Sequence, residues 1–262
     1  MQKNSLALSQ NFEDYVTSVK TKSENLIKVV FPRKVEELNK HLDSEQFSFE
    51  HQQKTLYESL NIPVPDAQAI NRALSNNFHN ADGEGQNKKR KLNNIHADAD
   101  ANPVEGTKVL VLPSGPVTCN SVISKHIDIV KPYIRELVEH ANLLKMWVTF
   151  LIPKIEDGNN FGVSIQEDTL GEIRAVEGEA ATFYDAIARY HINRGKIISK
   201  VAKYPHIDDY RRVVAELDEK EFLSLRIVLS EIRNHYAAMY DLIAKNWEKI
   251  IRPRTSNAEN LY

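Results

Sequence analysis

The most regular pattern in the chain lies near its carboxyl end. Phe222, Leu225, Leu229, Ile232, Tyr236, Met239, Ile243, Trp247 and Ile250 follow one another there at alternating steps of three and four. That periodicity predicts an amphipathic helix with a coiled-coil-like seam. Extended back through Leu217, Val214 and Tyr210, the stripe needs one irregular step. Asp208 or Asp209 offers the carboxylate that suits a helix amino terminus, and Pro253 stops the helix.

Three further helices follow from the same reading. Ser164, Gln166 and Glu167 lie in a Ser-x-x-Glu capping box that predicts a helix start at Ser164. Beyond it Ile165, Leu170, Ile173, Val176, Ala180, Tyr184, Ile187, His191, Ile198 and Val201 recur at helical spacing as far as Tyr204-Pro205. Another helix spans about residues 121–151 on Ile123, Ile127, Ile134, Val138, Ala141, Leu144, Val148 and Leu151, with Pro132 as a site for a kink. The first runs from Ser5 through Phe12, Tyr15, Val19, Leu26 and Val30. It is perturbed at Phe31-Pro32 and resumes with Val35, Leu38 and Leu42.

Long helices joined mostly by short connections predict an all-α fold, a long antiparallel four-helix bundle. Rods of about 30 to 40 residues reach roughly 45 to 60 Å, a length suited to side-by-side assembly. The expected organisation is a first bundle helix and short following helix over residues 1–62, then an insert over 63–116. Bundle helices two to four occupy 117–252, and a tail occupies 253–262. The insert breaks the helical period and is rich in Asn, Asp, Gly and Pro, so it reads as a long, largely disordered segment. Its one apolar run, Val109 to Leu112, could supply a short strand.

Composition narrows the function classes. The 262 residues carry 34 Lys and Arg against 36 Asp and Glu, so no chain-wide basic field exists for direct nucleic-acid binding. A single cysteine, Cys119, cannot close an intramolecular disulfide, and the amino-terminal stretch lacks a signal-peptide core. A reducing compartment is expected. The longest apolar stretch, Met146 to Ile152, is far short of the roughly 20 residues that cross a bilayer, so no membrane partner is expected.

Catalytic patterns fail on spacing. There is no Walker A loop, no Rossmann glycine pattern and no Gly-x-Ser-x-Gly elbow. The nine histidines are scattered, without a local metal-binding pair, and no cofactor is expected. Asp157, Asn159, Gly162 and Asp168 fit positions one, three, six and twelve of a calcium loop, but Phe161 stands where an oxygen ligand belongs. No acid, base or nucleophile set emerges, which argues for a non-enzymatic protein.

The tract IPKIEDGNNFGV, from Ile152 to Val163, separates two helices that could otherwise form a plain hairpin. Glycines and paired asparagines permit a specific backbone path, and Phe161 is a large apolar residue where a turn is usually polar. Met146-Trp147-Val148 followed by Leu151-Ile152-Pro153 and IEDGNNFGVSIQ resembles the second helix and activation loop of the 11S (REG) proteasome activators. The likeness continues through Lys203-Tyr204-Pro205-His206, Asp209-Tyr210-Arg211-Arg212 and Glu231-Ile232-Arg233-Asn234. It ends in Arg252-Pro253-Arg254, Ser256-Asn257-Ala258-Glu259 and Leu261-Tyr262. Lys88-Lys89-Arg90-Lys91-Leu92, Gly106-Thr107-Lys108-Val109 and Pro113 are similar to the gamma type of that family.

The resemblance implies a homoheptameric ring of four-helix subunits that activates the 20S proteasome without ATP. Asn260, Leu261 and Tyr262 would dock between core α subunits. The activation loop Glu156, Asp157, Gly158, Asn159, Asn160, Phe161, Gly162 and Val163 would favour the open gate. Peptides and unfolded, non-ubiquitinated proteins would be the substrates. Lys88, Lys89, Arg90 and Lys91 would serve nuclear localisation through an import receptor's acidic groove, with some protein in the cytoplasm. The rival reading is a nuclear helical-bundle scaffold that binds chromatin or regulatory proteins and has no proteasome role.

Overall fold

The computed structural model describes residues 9–58, 62, 116–156, 158, 160–205 and 207–254. Helix α1 (Gln10–Asn25) passes through a π-turn at Leu26–Val30 into α2 (Phe31–Leu42), and a 3-10 turn at Glu45–Phe47 leads to α3 (Phe49–Glu58). The other elements are α4 (Ser121–Leu151), α5 (Phe161–Lys203), α6 (Asp208–Lys245) and the short α7 (Trp247–Ile251). The described residues form a helical bundle without strands. The basic run and Val109 to Leu112 lie outside them.

The perturbation expected at Phe31-Pro32 takes the form of the π-turn. The Phe31 N–H bonds to Leu26 O, five residues back, which widens the helix just before a residue that has no N–H to give. At the start of α4 the Asn120 side-chain oxygen accepts from Val122 N at 3.0 Å and Ile123 N at 3.3 Å, a complete N-cap. Helix α4 continues through Pro132 without interruption.

Two boundaries differ from the sequence reading. Helix α5 begins at Phe161, with Ser164 N bonded to Asn160 O, so the Ser164 capping box does not form. Ser164 sits inside the first turn because the backbone is already helical three residues earlier. The last helix is also not continuous to Pro253. It ends at Lys245, where Asn246 (φ −106°, ψ 11°) leaves helical geometry, and α7 follows as a separate turn. The Asn246 side-chain nitrogen donates to Leu242 O at 2.9 Å, a local bond that competes with helix continuation.

The α1–α2 rod, α4, α5 and α6 form the bundle, with α4 against α5 and α6, and α2 and α5 against α6. The first rod runs antiparallel to α4: Phe12 meets Phe150, Tyr133 OH donates to Glu37 at 2.6 Å, and Phe47 meets His126. The predicted α6 seam is the core's spine, with Phe222, Leu225, Leu229, Ile232, Tyr236, Met239 and Ile243 all buried. Phe31 packs edge-on to Tyr236 at 5.0 Å, and the Tyr236 hydroxyl is 2.8 Å from His140 Nδ1. Burial of His140 holds its pKa below the ordinary histidine value, because a buried imidazolium loses its hydration.

On α5 the sequence stripe is out of phase by one residue in its middle. Tyr184 and His191 are exposed, whereas Ala180, Ile187, Tyr190, Arg194 and Val201 are buried, with Phe183 partly so. The buried stripe is a 3.5-residue repeat in which a charged Arg194 occupies a core position. Hydrophobicity alone could not trace it there.

Candidate functional site

At one end of the bundle, four backbone segments from distant parts of the sequence come together: the end of α4, the loop to α5, the first turn of α5, and the chain leaving α7. Gln166 is the peg between them. Its side-chain nitrogen donates to Leu151 O at 3.0 Å and to Ile250 O at 2.7 Å, satisfying two carbonyls that helix ends leave open. Trp147 and Trp247 pack below, ring centroids 5.8 Å apart.

Above this floor lies the loop expected to act in activation. Ile155 is fully exposed and Phe161 is 72% exposed, so two large apolar side chains stand out from this end of the molecule. Gly158 has φ +77°, the left-handed region in which a Cβ is costly. Asn160 Nδ2 donates to Glu156 O at 3.3 Å and closes the turn on itself. Phe161, Gly162 and Val163, expected as loop residues, form the first turn of α5 instead. Phe161 is therefore presented from a helix start. Asp157 and Asn159 lie outside the described residues, as do the expected docking residues Asn260, Leu261 and Tyr262 and the basic run Lys88, Lys89, Arg90 and Lys91.

The root of the tail is tied to this loop. Gly162 lies against the backbone of Pro253, where an added Cβ would fall 2.6 Å from Pro253 Cα and C and nearer still to its oxygen. Arg254 Nη1 donates to Glu156 Oε2 at 2.9 Å and Nη2 to Asn160 Oδ1 at 3.3 Å. Glu156 also pairs with Lys154 at 2.7 Å. Loop and tail stand 98 residues apart in sequence at the Glu156–Arg254 contact.

The sequence reading missed what three of these residues touch: it places Gln166 in a capping box, Gly162 among the residues that give the activation loop a specific backbone path, and Arg254 in the tail over residues 253–262. The available signal was a glutamine one step from the hydrophobic stripe and a glycine in a helix-forming stretch. Neither says what it faces.

Elsewhere, Glu179, Glu231 and His235 approach with ligand atoms within 4.8 Å of one another, a grouping the scattered histidines did not suggest. Glu231 and His235 share one face of α6 through i,i+4 spacing. Glu179 is half exposed, with Oε2 3.4 Å from His235 Nε2. Among the described residues no helix is long and apolar enough to cross a membrane.

Comparison with known proteins agrees with this architecture along the chain. The family model for proteasome activator PA28, C-terminal, matches residues 116–260, and that for proteasome activator PA28, N-terminal, matches residues 7–67. Proteasome activator complex subunit 3 of Homo sapiens is 47% identical over 252 residues, covering 96% of this chain and 94% of the relative, and that of Gallus gallus gives the same figures. Among solved structures, the 11S subunit of the Plasmodium falciparum proteasome, PA28, has a TM-score of 0.66 at 27% identity, covering 97% of this chain and all of the other. An 11S activator solved in complex with a proteasome shares the fold at a TM-score of 0.55 and 15% identity over 94% of each chain. With family models matched over residues 7–67 and 116–260 and near-half identity along almost its whole length, this chain belongs to the proteasome activator PA28 family.

Proposed function

We propose that the protein is an ATP-independent, non-catalytic activator of the 20S proteasome. It works as a homoheptameric ring whose carboxyl-terminal tails dock on the core α-subunit ring and whose activation loops favour the open gate. The observation that carries this reading is the convergence of the loop residues Glu156 and Asn160, and of Gly162, with the root of the tail at one end of the bundle. A scaffold with no proteasome role gives no reason for those two elements to meet. The relatives' name, proteasome activator complex subunit 3, points the same way.

The energetics follow from multivalency. One short tail held by Asn260, Leu261 and Tyr262 binds weakly, at about 1 mM or roughly 4 kcal/mol, yet several tails on one rigid ring reinforce one another through effective concentration. Opening requires the loop to bind the open gate better than the closed one, since equal affinity shifts nothing. Substrates are peptides and unfolded, non-ubiquitinated proteins, and hydrolysis belongs to the core. Lys88, Lys89, Arg90 and Lys91 act as a nuclear import signal, a role that alanine replacement in a fluorescent fusion tests directly.

The decisive measurement is fluorogenic-peptide hydrolysis by purified 20S core with and without the protein. Stimulation without nucleotide is expected. Removal of Leu261 and Tyr262 abolishes it together with co-sedimentation, while the ring persists. Unchanged hydrolysis with the intact protein would sink the proposal.

A further inference from the structure

Building on the activator reading, we propose that Arg254 is a positioning residue for gating, the link through which a seated tail holds the activation loop in its working position. Three features of the structure support this. First, Arg254 bridges the loop at both ends of its turn, through Glu156 Oε2 at 2.9 Å and Asn160 Oδ1 at 3.3 Å. Second, its side chain is 20% exposed, so the Glu156 pair is shielded on one side and less screened than an open surface pair. Third, the residue before it, Pro253, lies on Gly162 with no room for a side chain between them. A displacement of the tail root is therefore transmitted to the first turn of α5 by contact.

The arrangement assigns separate tasks to neighbouring stretches of the tail. The last residues anchor, and Arg254, at the near end of the tail, orients. In an undocked protein the Arg254 bridge competes with solvent for both partners. Once the tail end is held by the core, the tail root is fixed, the same bridge closes against a fixed frame, and the loop's freedom to leave the gate-opening position shrinks. Docking and opening, though carried by different residues, are thus coupled through one guanidinium group.

The test uses the full-length ring with 20S core and a fluorogenic peptide, reading maximal stimulation and half-saturating activator concentration separately. Arg254→Ala is expected to lower the maximum about fivefold or more with the half-saturating concentration within about twofold, the pattern of lost bias toward the open state rather than lost binding. Arg254→Lys, which keeps the charge and loses the fork, recovers part of the maximum. Glu156→Ala combined with Arg254→Ala falls short of the sum of the two single losses, because both changes remove the Arg254–Glu156 pair. A wild-type maximum with Arg254→Ala, an equal fall in apparent affinity and maximum, or fully additive losses in the double variant each overturn the inference. A wild-type protein that gives no stimulation overturns the activator reading itself, so the two failures are distinguishable.

Discussion

Replacing Gly162 with alanine is expected to disable activation while leaving the long helices in place. On propensity alone the change should help, because glycine inside a helix costs about 0.5–1 kcal/mol relative to alanine. Contact decides otherwise. The new Cβ would lie 2.6 Å from Pro253 Cα and C, and both are backbone atoms that cannot rotate away. The segment Arg252–Arg254 must move off the first turn of α5, at an overpacking cost of about 1–3 kcal/mol. That movement pulls Arg254 from Glu156 and Asn160. Maximal peptide hydrolysis should fall about tenfold, the effect of about 1.4 kcal/mol of lost preference for the open gate. Circular dichroism should show wild-type helicity. Full stimulation by Gly162→Ala would mean that the close approach of Pro253 has no part in gating.

The second large effect concerns the other end of the bundle, where Asp218 is completely buried. Its carboxylate accepts from Arg194 Nε at 2.8 Å and Nη2 at 3.3 Å, from Tyr190 OH at 2.8 Å, and from Asn120 Nδ2 at 2.9 Å. Arg194 also donates to Thr118 O, and Asn120 both donates to Leu56 O and caps α4. One carboxylate thus joins α5, α6, the start of α4 and the end of α3. Asp218→Ala leaves the Arg194 guanidinium, 4% exposed, without its carboxylate partner, and should cost about 3–5 kcal/mol in urea unfolding. A loss under about 1 kcal/mol would show that water reaches Arg194 and replaces the carboxylate.

Glu221, one turn further along α6, should behave in the opposite way. Burial pushes its pKa up to about 7, with Lys220 opposing and Asp218 reinforcing the shift. An acid whose folded pKa lies above its unfolded one destabilises the fold as pH rises through that window. Glu221→Gln should therefore raise the unfolding free energy at pH 8 by on the order of 1 kcal/mol, and the gain should vanish well below pH 4.5, where both states are protonated.

Fold class and the places of the long helices, though not every boundary, were legible in the sequence because they follow from local rules. Apolar residues at steps of three and four force a helix to bury one face, and the α6 seam was read residue by residue for that reason. Asp208, Pro205 and the Phe31-Pro32 disturbance marked boundaries for equally local reasons: capping charge, a missing donor, a fixed φ. The activation-loop segment stood out by composition and family resemblance. Where the reading slipped, a polar residue held a core position. The irregular step between Val214 and Phe222 disappears once the buried Asp218 is placed on the stripe, whereas on α5 periodicity alone allows either of two neighbours, Phe183 or Tyr184 and Tyr190 or His191. A charged residue is admitted to the core only by partners brought from other helices, and no local pattern records those partners.

The sequence by itself determined that this protein is a set of long amphipathic helices with a distinctive interhelical loop, because helix periodicity depends on near neighbours. Only the tertiary structure decided that Asp218 and Arg194 belong inside, that α5 starts at Phe161, and that Arg254 reaches Glu156 across 98 residues. Those facts depend on which surfaces meet when the rods pack, and contact between distant segments is a property of the packed bundle rather than of any stretch of chain.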